Sequence, residues 1–189
     1  MRGIYEAAKM RRSGTSVQPR ALPDGFVYEF YNGSAEQISD WLRICHGALI
    51  PDMSEQWFTS TILEYPDLCP ERDLLFVVEQ ETGRRVATTA AVCHGTEGYI
   101  HMVAALQDVR GKGIGHAMLR YALEILENRG CTYTVLTTDD FRLAAIKTYL
   151  DADFMPVIEQ DPESDVCQRW KDVLSLLQYP RVYDLSMEV

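Results

Sequence analysis

The residues best suited to chemistry in this chain form one string, Val109-Arg110-Gly111-Lys112-Gly113-Ile114-Gly115-His116. Three glycines alternate with other residues, so backbone N–H groups can converge on one point with no Cβ in the way. An apolar run at 99–106 precedes the string and an amphipathic run follows it. A helix that starts behind the glycines adds unpaired N–H groups and the positive end of its dipole. Strand, glycine turn and helix together make a seat for an anion such as a pyrophosphate. Two familiar phosphate loops do not fit. A P-loop needs glycine, four residues and then Gly-Lys-Ser/Thr, a string that does not occur. A dinucleotide fingerprint needs a third glycine where His116 stands.

The elements that must hold this loop follow from periodicity. Residues 26–31 read as a first strand. Ser34-x-x-Gln37 is a capping box opening a helix with Ile38, Trp41, Leu42 and Cys45 on one face, stopped near Gly47. Asp52-x-x-Glu55 opens a second helix with Trp57, Phe58, Thr61, Ile62 and Tyr65 inside, ended by Pro66. Residues 73–80 and 85–94 are strands joined by the hairpin turn Glu81-Thr82-Gly83-Arg84. After the strand at 99–106, a helix from about 113 to 128 turns Ile114, Met118, Leu119, Ala122, Leu123 and Leu126 inward, and Gly130 closes it. Residues 133–137 form a β-branched strand, Asp140 caps a helix over 141–150, and 154–158 return as a strand. Asp161 and Pro162 start a helix with Val166, Trp170, Val173, Leu174 and Leu177 on one face. Pro180 ends it, and 181–185 form a final strand. This order predicts an α/β (α+β) fold, a mixed sheet of about seven strands with helices on both faces. One domain is expected over 21–189, with a helical insertion at about 159–180. Residues 1–20 read as a basic N-terminal arm, with a short amphipathic helix around 4–10 as one option.

Composition narrows the function classes. At 189 residues with 47% hydrophobic and 24% charged residues, the chain suits one globular domain of ordinary core size. A net charge of −10 argues against nucleic acid as a partner and favours a cationic acceptor such as an amine. No apolar run approaches the roughly 20 residues of a membrane span, so no membrane partner is expected. Five scattered cysteines without a C-x-x-C read as reduced thiols in a cytoplasmic protein. His46, His94 and His116 have no metal or triad spacing, and Gly-x-Ser-x-Gly is absent, so neither a metal nor hydrolase chemistry is expected.

The pattern Arg110-x-x-Gly113-x-Gly115 resembles the coenzyme-A loop of the GNAT superfamily of acyl-CoA-dependent N-acyltransferases. The resemblance covers about 73–157 and is most specific over 99–154. It joins the strand before the loop, the loop with its helix, and Ala145-x-x-x-Tyr149-x-x-x-x-Phe154, which is similar to the family's helix after the fifth strand. It implies a GNAT-like, mostly antiparallel sheet and acetyl-CoA as co-substrate. It further implies that the backbone of Val103, Ala104 and Ala105 pairs with the pantetheine arm. Arg110, Gly111, Lys112, Gly113, Ile114, Gly115 and His116 would take the pyrophosphate, and Tyr149 would face the coenzyme sulfur. Three positions depart from the family pattern: Gln107 stands where proline is common, Arg142 where an asparagine opens the tyrosine helix, and Asp153 where glycine precedes the last aromatic. Arg142 removes a coenzyme contact or replaces it with a charged one. Asp tolerates the left-handed conformation that the turn at 153 needs.

The implied reaction is acyl transfer from a thioester to an amine. It needs a held donor, a polarised carbonyl, a neutral amine and a protonated leaving thiolate. Backbone N–H groups on the strand before the loop could polarise the carbonyl. Tyr149, a phenol with pKa of about 10, can protonate a thiolate of about 8–9. His101 lies two residues before Val103, so strand alternation puts it on one face with Val103 and Ala105. Near neutral pH it can relay a proton from an alkylammonium through water, and a core histidine held by packing is the other reading. Asp139 and Asp140 attract a cationic acceptor or cap a helix. Met53, Trp57, Phe58 and Trp170 line an apolar acceptor pocket or pack in helix cores. The expected function is transfer of acetyl from acetyl-CoA to a primary amine of a small molecule, amino acid derivative or peptide, by direct attack in a ternary complex. Two alternatives stand beside it: a non-catalytic acyl-CoA-binding sensor module, and a transferase of a larger acyl group. The sequence leaves open the identity of the amine and whether the chain forms a homodimer.

Overall fold

The computed structural model describes residues 8–14, 17–158 and 165–179. The expected strand at 181–185 and the Asp161-Pro162 helix start lie outside the described residues. The described part is a mixed α/β fold with seven strands, mostly antiparallel, and six helices. In chain order these are β1 (Ala8–Ser13), β2 (Phe26–Phe30), α1 (Ala35–Cys45), α2 (Glu55–Phe58), α3 (Pro70–Asp73), β3 (Leu74–Glu79), β4 (Arg85–His94), β5 (Glu97–Ala105), α4 (Ile114–Asn128), β6 (Tyr133–Thr138), α5 (Leu143–Leu150), β7 (Met155–Pro156) and α6 (Val166–Leu177). The chain divides into two compact units, 14–134 and 1–13 with 135–189, and β6 runs across the boundary. No helix among the described residues is long and apolar enough to cross a membrane.

In the unit 14–134, β2, β3, β4 and β5 pair antiparallel in that order. The middle strands are apolar on both faces: Leu74, Leu75, Phe76 and Val77 of β3 and Val86, Ala87, Ala90 and Ala91 of β4 are all fully buried. α4 covers β4 and β5 with Ile114, Met118, Leu119, Ala122, Leu123 and Leu126. Those are the residues the 3.6-residue period selects. α1 packs on the same strands through Trp41, Leu42, Ile44 and Cys45. Its capping differs slightly from the expected box. Ser34 Oγ accepts the Gln37 N–H at 3.3 Å, but Gln37 Oε1 reaches back to the N–H of Asn32 at 2.7 Å.

The second helix begins two residues later than the Asp52 pattern indicates. Ser54 caps it, while Asp52 Oδ1 accepts the Ser54 N–H and the Trp57 indole N–H at 2.9 and 3.1 Å. After Phe58 the backbone widens into a π-helical turn, Thr59–Leu63, in which Glu64 N–H bonds Thr59 O at 2.9 Å. At the start of β3, the carboxylate of Asp73 is fully buried. It accepts from Arg72 Nε at 2.8 Å, Arg129 Nη1 at 2.5 Å and the Cys69 N–H at 2.8 Å.

The other unit contains α5, α6 and the antiparallel pair β1–β7, with Met10 opposite Pro156. The expected strand at 154–158 is thus shorter, and α6 begins at Val166. The N-terminal segment needs a larger correction, because 8–13 is a strand and not an arm. Ala8, Met10 and Arg12 are buried and alternate with more exposed neighbours, a period of two that the basic residues conceal. Arg12 is tolerated inside because its Nε donates to Ala152 O at 3.0 Å.

Candidate functional site

The glycine loop has the geometry its composition implies. A single 3-10 turn at Gln107–Val109 follows β5, and α4 starts behind Gly113. Gly111 and Gly113 have φ of 77° and 84°, left-handed values that side chains with a Cβ resist. No side chain among the described residues caps α4, and its first turn holds no acidic residue. A Cβ built on Gly111 or Gly115 would meet nothing within 4 Å, and one on Gly113 would meet only Arg20 Nη2, at 3.4 Å. The loop is therefore an open cradle of backbone N–H groups at a positive helix end, and its residues fit a diphosphate. Arg110 is exposed, and its Nε donates to Ala105 O at 3.2 Å, bracing the loop against the strand it leaves. Lys112 is exposed, Ile114 is buried beneath the loop, and His116 is half-buried in the first turn of α4.

β5 breaks its alternation beside this loop. Its register with β4 pairs Tyr99 with Val92 and His101 with Ala90, then shifts, so that Ala104 faces Thr88 and Ala105 faces Ala87. Met102 takes φ of 54° and absorbs the extra residue as a bulge. The expected shared face of His101, Val103 and Ala105 is therefore wrong. His101 shares a face with Tyr99 and Ala104, and Ala105 lies on the opposite one. A period of two cannot show a bulge in advance, since Met102 carries none of the usual glycine signal.

His101 is nevertheless built into a specific setting. Its Nε2 lies 2.9 Å from Thr61 O. Its ring stacks on Tyr65 at 4.1 Å between centroids, with Tyr99 at 5.7 Å. Burial lowers its pKa from the usual 6.5, and the hydrogen bond to Thr61 offsets part of that. The neutral imidazole, the form that can accept a proton, is thus favoured near neutral pH. Tyr65 moves the other way, to about 12, through burial and its neighbour Tyr99.

In the other unit, Tyr149 is buried near the end of α5, its ring edge-on to Phe154 at 6.2 Å. Phe154 N–H bonds Tyr149 O at 3.1 Å, and Asp153 takes φ of 65°, the left-handed turn expected there. Asp140 does not cap α5. The helix starts at Leu143 behind Arg142, with no side-chain cap. Asp139 instead accepts from Arg142 Nε at 2.8 Å, and Asp140 binds Arg169 through Nε at 2.6 Å and Nη2 at 2.9 Å. Arginine partners thus compensate both carboxylates, which weakens their claim on a cationic acceptor. Of the four apolar candidates, Phe58 and Trp170 are fully buried core residues, whereas Met53 is 45% exposed and Trp57 is half-buried.

Several residues escaped the sequence reading. Arg20, taken as part of a charged arm, brings its guanidinium to Gly113. Thr61 and Tyr65, taken as inward helix positions, hold His101. Cys93 and Cys131, 38 residues apart, place their Sγ atoms 3.1 Å from each other. No spacing rule could have joined those two.

The sequence model of the Acetyltransferase (GNAT) family matches residues 35–154. No curated protein matches the sequence. Among solved structures, a GCN5-related N-acetyltransferase from Sphaerobacter thermophilus is similar at a TM-score of 0.63 and 19% identity, over 79% of this chain and 49% of that one. The chain thus spans about half the length of that protein. The ribosomal-protein-S18-alanine N-acetyltransferase from Escherichia coli is similar at a TM-score of 0.54 and 20% identity, over 67% of this chain and 75% of that one. The NatC complex bound to Gag peptide and CoA gives a TM-score of 0.55 and 20% identity, over 67% of this chain and 82% of the other. At such identities the likeness is one of fold.

Proposed function

Because this chain belongs to the Acetyltransferase (GNAT) family, we propose that it is an N-acetyltransferase that moves an acetyl group from acetyl-CoA to a primary amine. The acceptor class is a small molecule, an amino acid derivative or a peptide, and attack is direct, within a ternary complex. The observation that carries the reading is the open glycine cradle, where Cβ positions at 111 and 115 meet nothing and the one at 113 meets only a guanidinium.

Acetyl-CoA, when bound, supplies the thioester acyl group. The chain's own residues do the rest. The N–H groups at 111–116 hold the diphosphate, and Lys112 and Arg20 add positive charge beside it. The backbone at Val103, Ala104 and Ala105, next to the bulge, offers hydrogen-bonding groups to the pantetheine amides. Arg142, already bound to Asp139, keeps a guanidinium at the start of α5 for a coenzyme contact. His101 takes the proton of the attacking ammonium, and its lowered pKa keeps it neutral for that task. The Tyr149 hydroxyl gives a proton to the departing thiolate. None of these steps calls for a metal.

The test is a panel of amines, amino acid derivatives and N-terminal peptides, assayed for free-thiol release from acetyl-CoA beside coenzyme affinity. Thiol release with at least one amine, saturable in both substrates, is the expected result. Coenzyme binding without release from any amine would replace this reading with the non-catalytic acyl-CoA sensor. Release from longer acyl-CoA but not from acetyl-CoA would replace it with transfer of a larger group.

A further inference from the structure

The π-helical turn Thr59–Leu63 and the proline after it have a use that the packing of the second helix does not require. In π geometry each carbonyl bonds the N–H five residues on. Thr59 O follows this rule, accepting the N–H of Glu64 at 2.9 Å. Two residues later in the same register, the partner of Thr61 O would be the N–H of residue 66. Residue 66 is proline and has no N–H. Thr61 lies in the last turn of a segment that ends at Leu63, where carbonyls have no partner further along the helix. Pro66 adds no N–H in the i+5 position to compete for this one, and His101 Nε2 lies 2.9 Å from it.

A carbonyl oxygen only accepts, so Nε2 must carry the hydrogen. In the neutral imidazole the other nitrogen, Nδ1, then holds the lone pair. The Tyr65 ring, immediately before Pro66, stacks on the imidazole at 4.1 Å and 30° and fixes its plane. The Tyr65 ring in turn lies nearly parallel to that of Tyr99, 6.2 Å between centroids. The titratable groups facing the imidazole are Tyr65 from the segment after the π turn and Tyr99 from β5, with Glu97 acting on Tyr65. From β4 the opposite residue is Ala90, which carries no charge.

We propose that Thr61, Tyr65 and Pro66 form a positioning device that holds neutral His101 as the Nε2–H tautomer, so that Nδ1 is the atom that takes the acceptor's proton. This rests on the proposed role of His101 as base. The step balances. The ammonium N–H bond breaks, Nδ1–H forms with the former Nδ1 lone pair, and the amine keeps its own pair for attack. Nε2–H stays on the Thr61 carbonyl throughout, and that oxygen stabilises the imidazolium as it forms. Without the proline, the residue 66 amide would compete for the same oxygen. Thr61, Tyr65 and Pro66 are positioning residues, because they act through His101.

Imidazole nitrogens of the whole ¹⁵N-labelled chain can be read by NMR. The chain has four histidines, and loss of one set of signals in His101→Gln assigns the residue. The expected result is an unprotonated Nδ1 and a solvent-protected Nε2–H at His101. In Pro66→Ala the Nε2–H should exchange with solvent roughly fivefold faster, the equivalent of one ordinary hydrogen bond, and the Nδ1–H form should gain population. An Nδ1–H tautomer in the unaltered chain would overturn the proposal. So would a Pro66→Ala chain with unchanged tautomer and unchanged exchange. If Pro66→Ala does not fold, the tautomer and protection of Nε2–H in the unaltered chain decide. The base role is tested separately: a His101→Gln enzyme that keeps the acid limb of its rate profile removes the base, whatever tautomer the spectra show.

Discussion

Two glycines at opposite ends of α4 form a matched pair that isolates coenzyme binding from stability. Gly113 precedes the helix with φ of 84° and Gly130 follows it with φ of 86°. A Cβ at Gly130 would meet nothing within 4 Å, and one at Gly113 would meet only Arg20 Nη2 at 3.4 Å, an ordinary contact. Alanine at either position therefore costs about the same, roughly 1–2 kcal/mol for a left-handed residue with a Cβ. For a chain of this size that lowers Tm by about 2–8 °C. Only at position 113 does the new methyl group enter the cradle proposed for the diphosphate. Loss of a single charge-assisted hydrogen bond, worth about 1.5–3 kcal/mol, weakens coenzyme binding by about 10–160-fold. Gly113→Ala and Gly130→Ala should thus show similar Tm losses in thermal unfolding followed by circular dichroism. In calorimetric titration with coenzyme A, only Gly113→Ala should lose affinity. Wild-type affinity in both folded variants would refute the assignment of the cradle, and an equal loss in both would show that the effect travels through helix stability instead.

Tyr149→Phe keeps the buried ring and removes only the hydroxyl, so single-turnover thiol release should fall about 100-fold with little change in coenzyme affinity. Turnover within about twofold of wild type would assign Tyr149 to packing alone. Arg20→Gln removes an exposed charge beside Gly113 and should weaken coenzyme binding by up to about fivefold at low salt, with the difference vanishing as ionic strength rises. An affinity unchanged at low salt would take Arg20 out of the site. Burial by itself would raise the Asp73 pKa, but the Arg72 and Cys69 hydrogen bonds and the Arg129 charge outweigh it and bring the value below its usual 3.8. The unfolded chain therefore takes up this proton first as pH falls. The stabilising contribution is complete above the unfolded value and is lost as pH drops through the folded one. Asp73→Asn should cost about 3 kcal/mol, the low end for breaking a buried pair because Arg72 still reaches water, and should flatten the acid side of the stability profile. A variant as stable as wild type at pH 7 would show that the buried carboxylate is not a net stabiliser.

What the sequence disclosed, and what it hid, follows from the range of each interaction. The glycine loop, α1, α4 and the β3–β4 hairpin rest on local rules of turn chemistry and apolar period, and their residues announce them. Asp153 could be assigned a left-handed turn because that demand is local as well. The bulge at Met102 is different. One extra residue reverses the facing of everything beyond it, and only the partner strand reveals where it sits. β1 hid behind its charges, since Arg12 is buried through a carbonyl 140 residues away. Asp139 and Asp140 looked like caps because cap residues and ion-pair residues are the same types. Their arginine partners, three and 29 residues on, decided between the roles. Arg20 beside Gly113 and the Cys93–Cys131 contact depend on tertiary closure that no spacing encodes.

The pairing of β1 with β7 has a consequence for the chain as it is made. Arg12 must wait for Ala152, a separation of 140 residues. At roughly 5–20 residues per second of synthesis, the delay is about 7–28 s. For most of that time, until β6 and then β7 have been made, Ala8, Met10 and Arg12 lack the two strands that flank them in the sheet, while the segment 14–134 has all or part of its own partners to fold with. A nascent β-strand with one apolar face is a template for the wrong neighbour. The basic residues Lys9, Arg11 and Arg12 that obscured the strand in the sequence also keep it soluble and self-repelling during the wait. Replacing Lys9 and the half-buried Arg11 with valine would leave the β1–β7 hydrogen bonds in place. The cost would fall on the yield of chains that reach them.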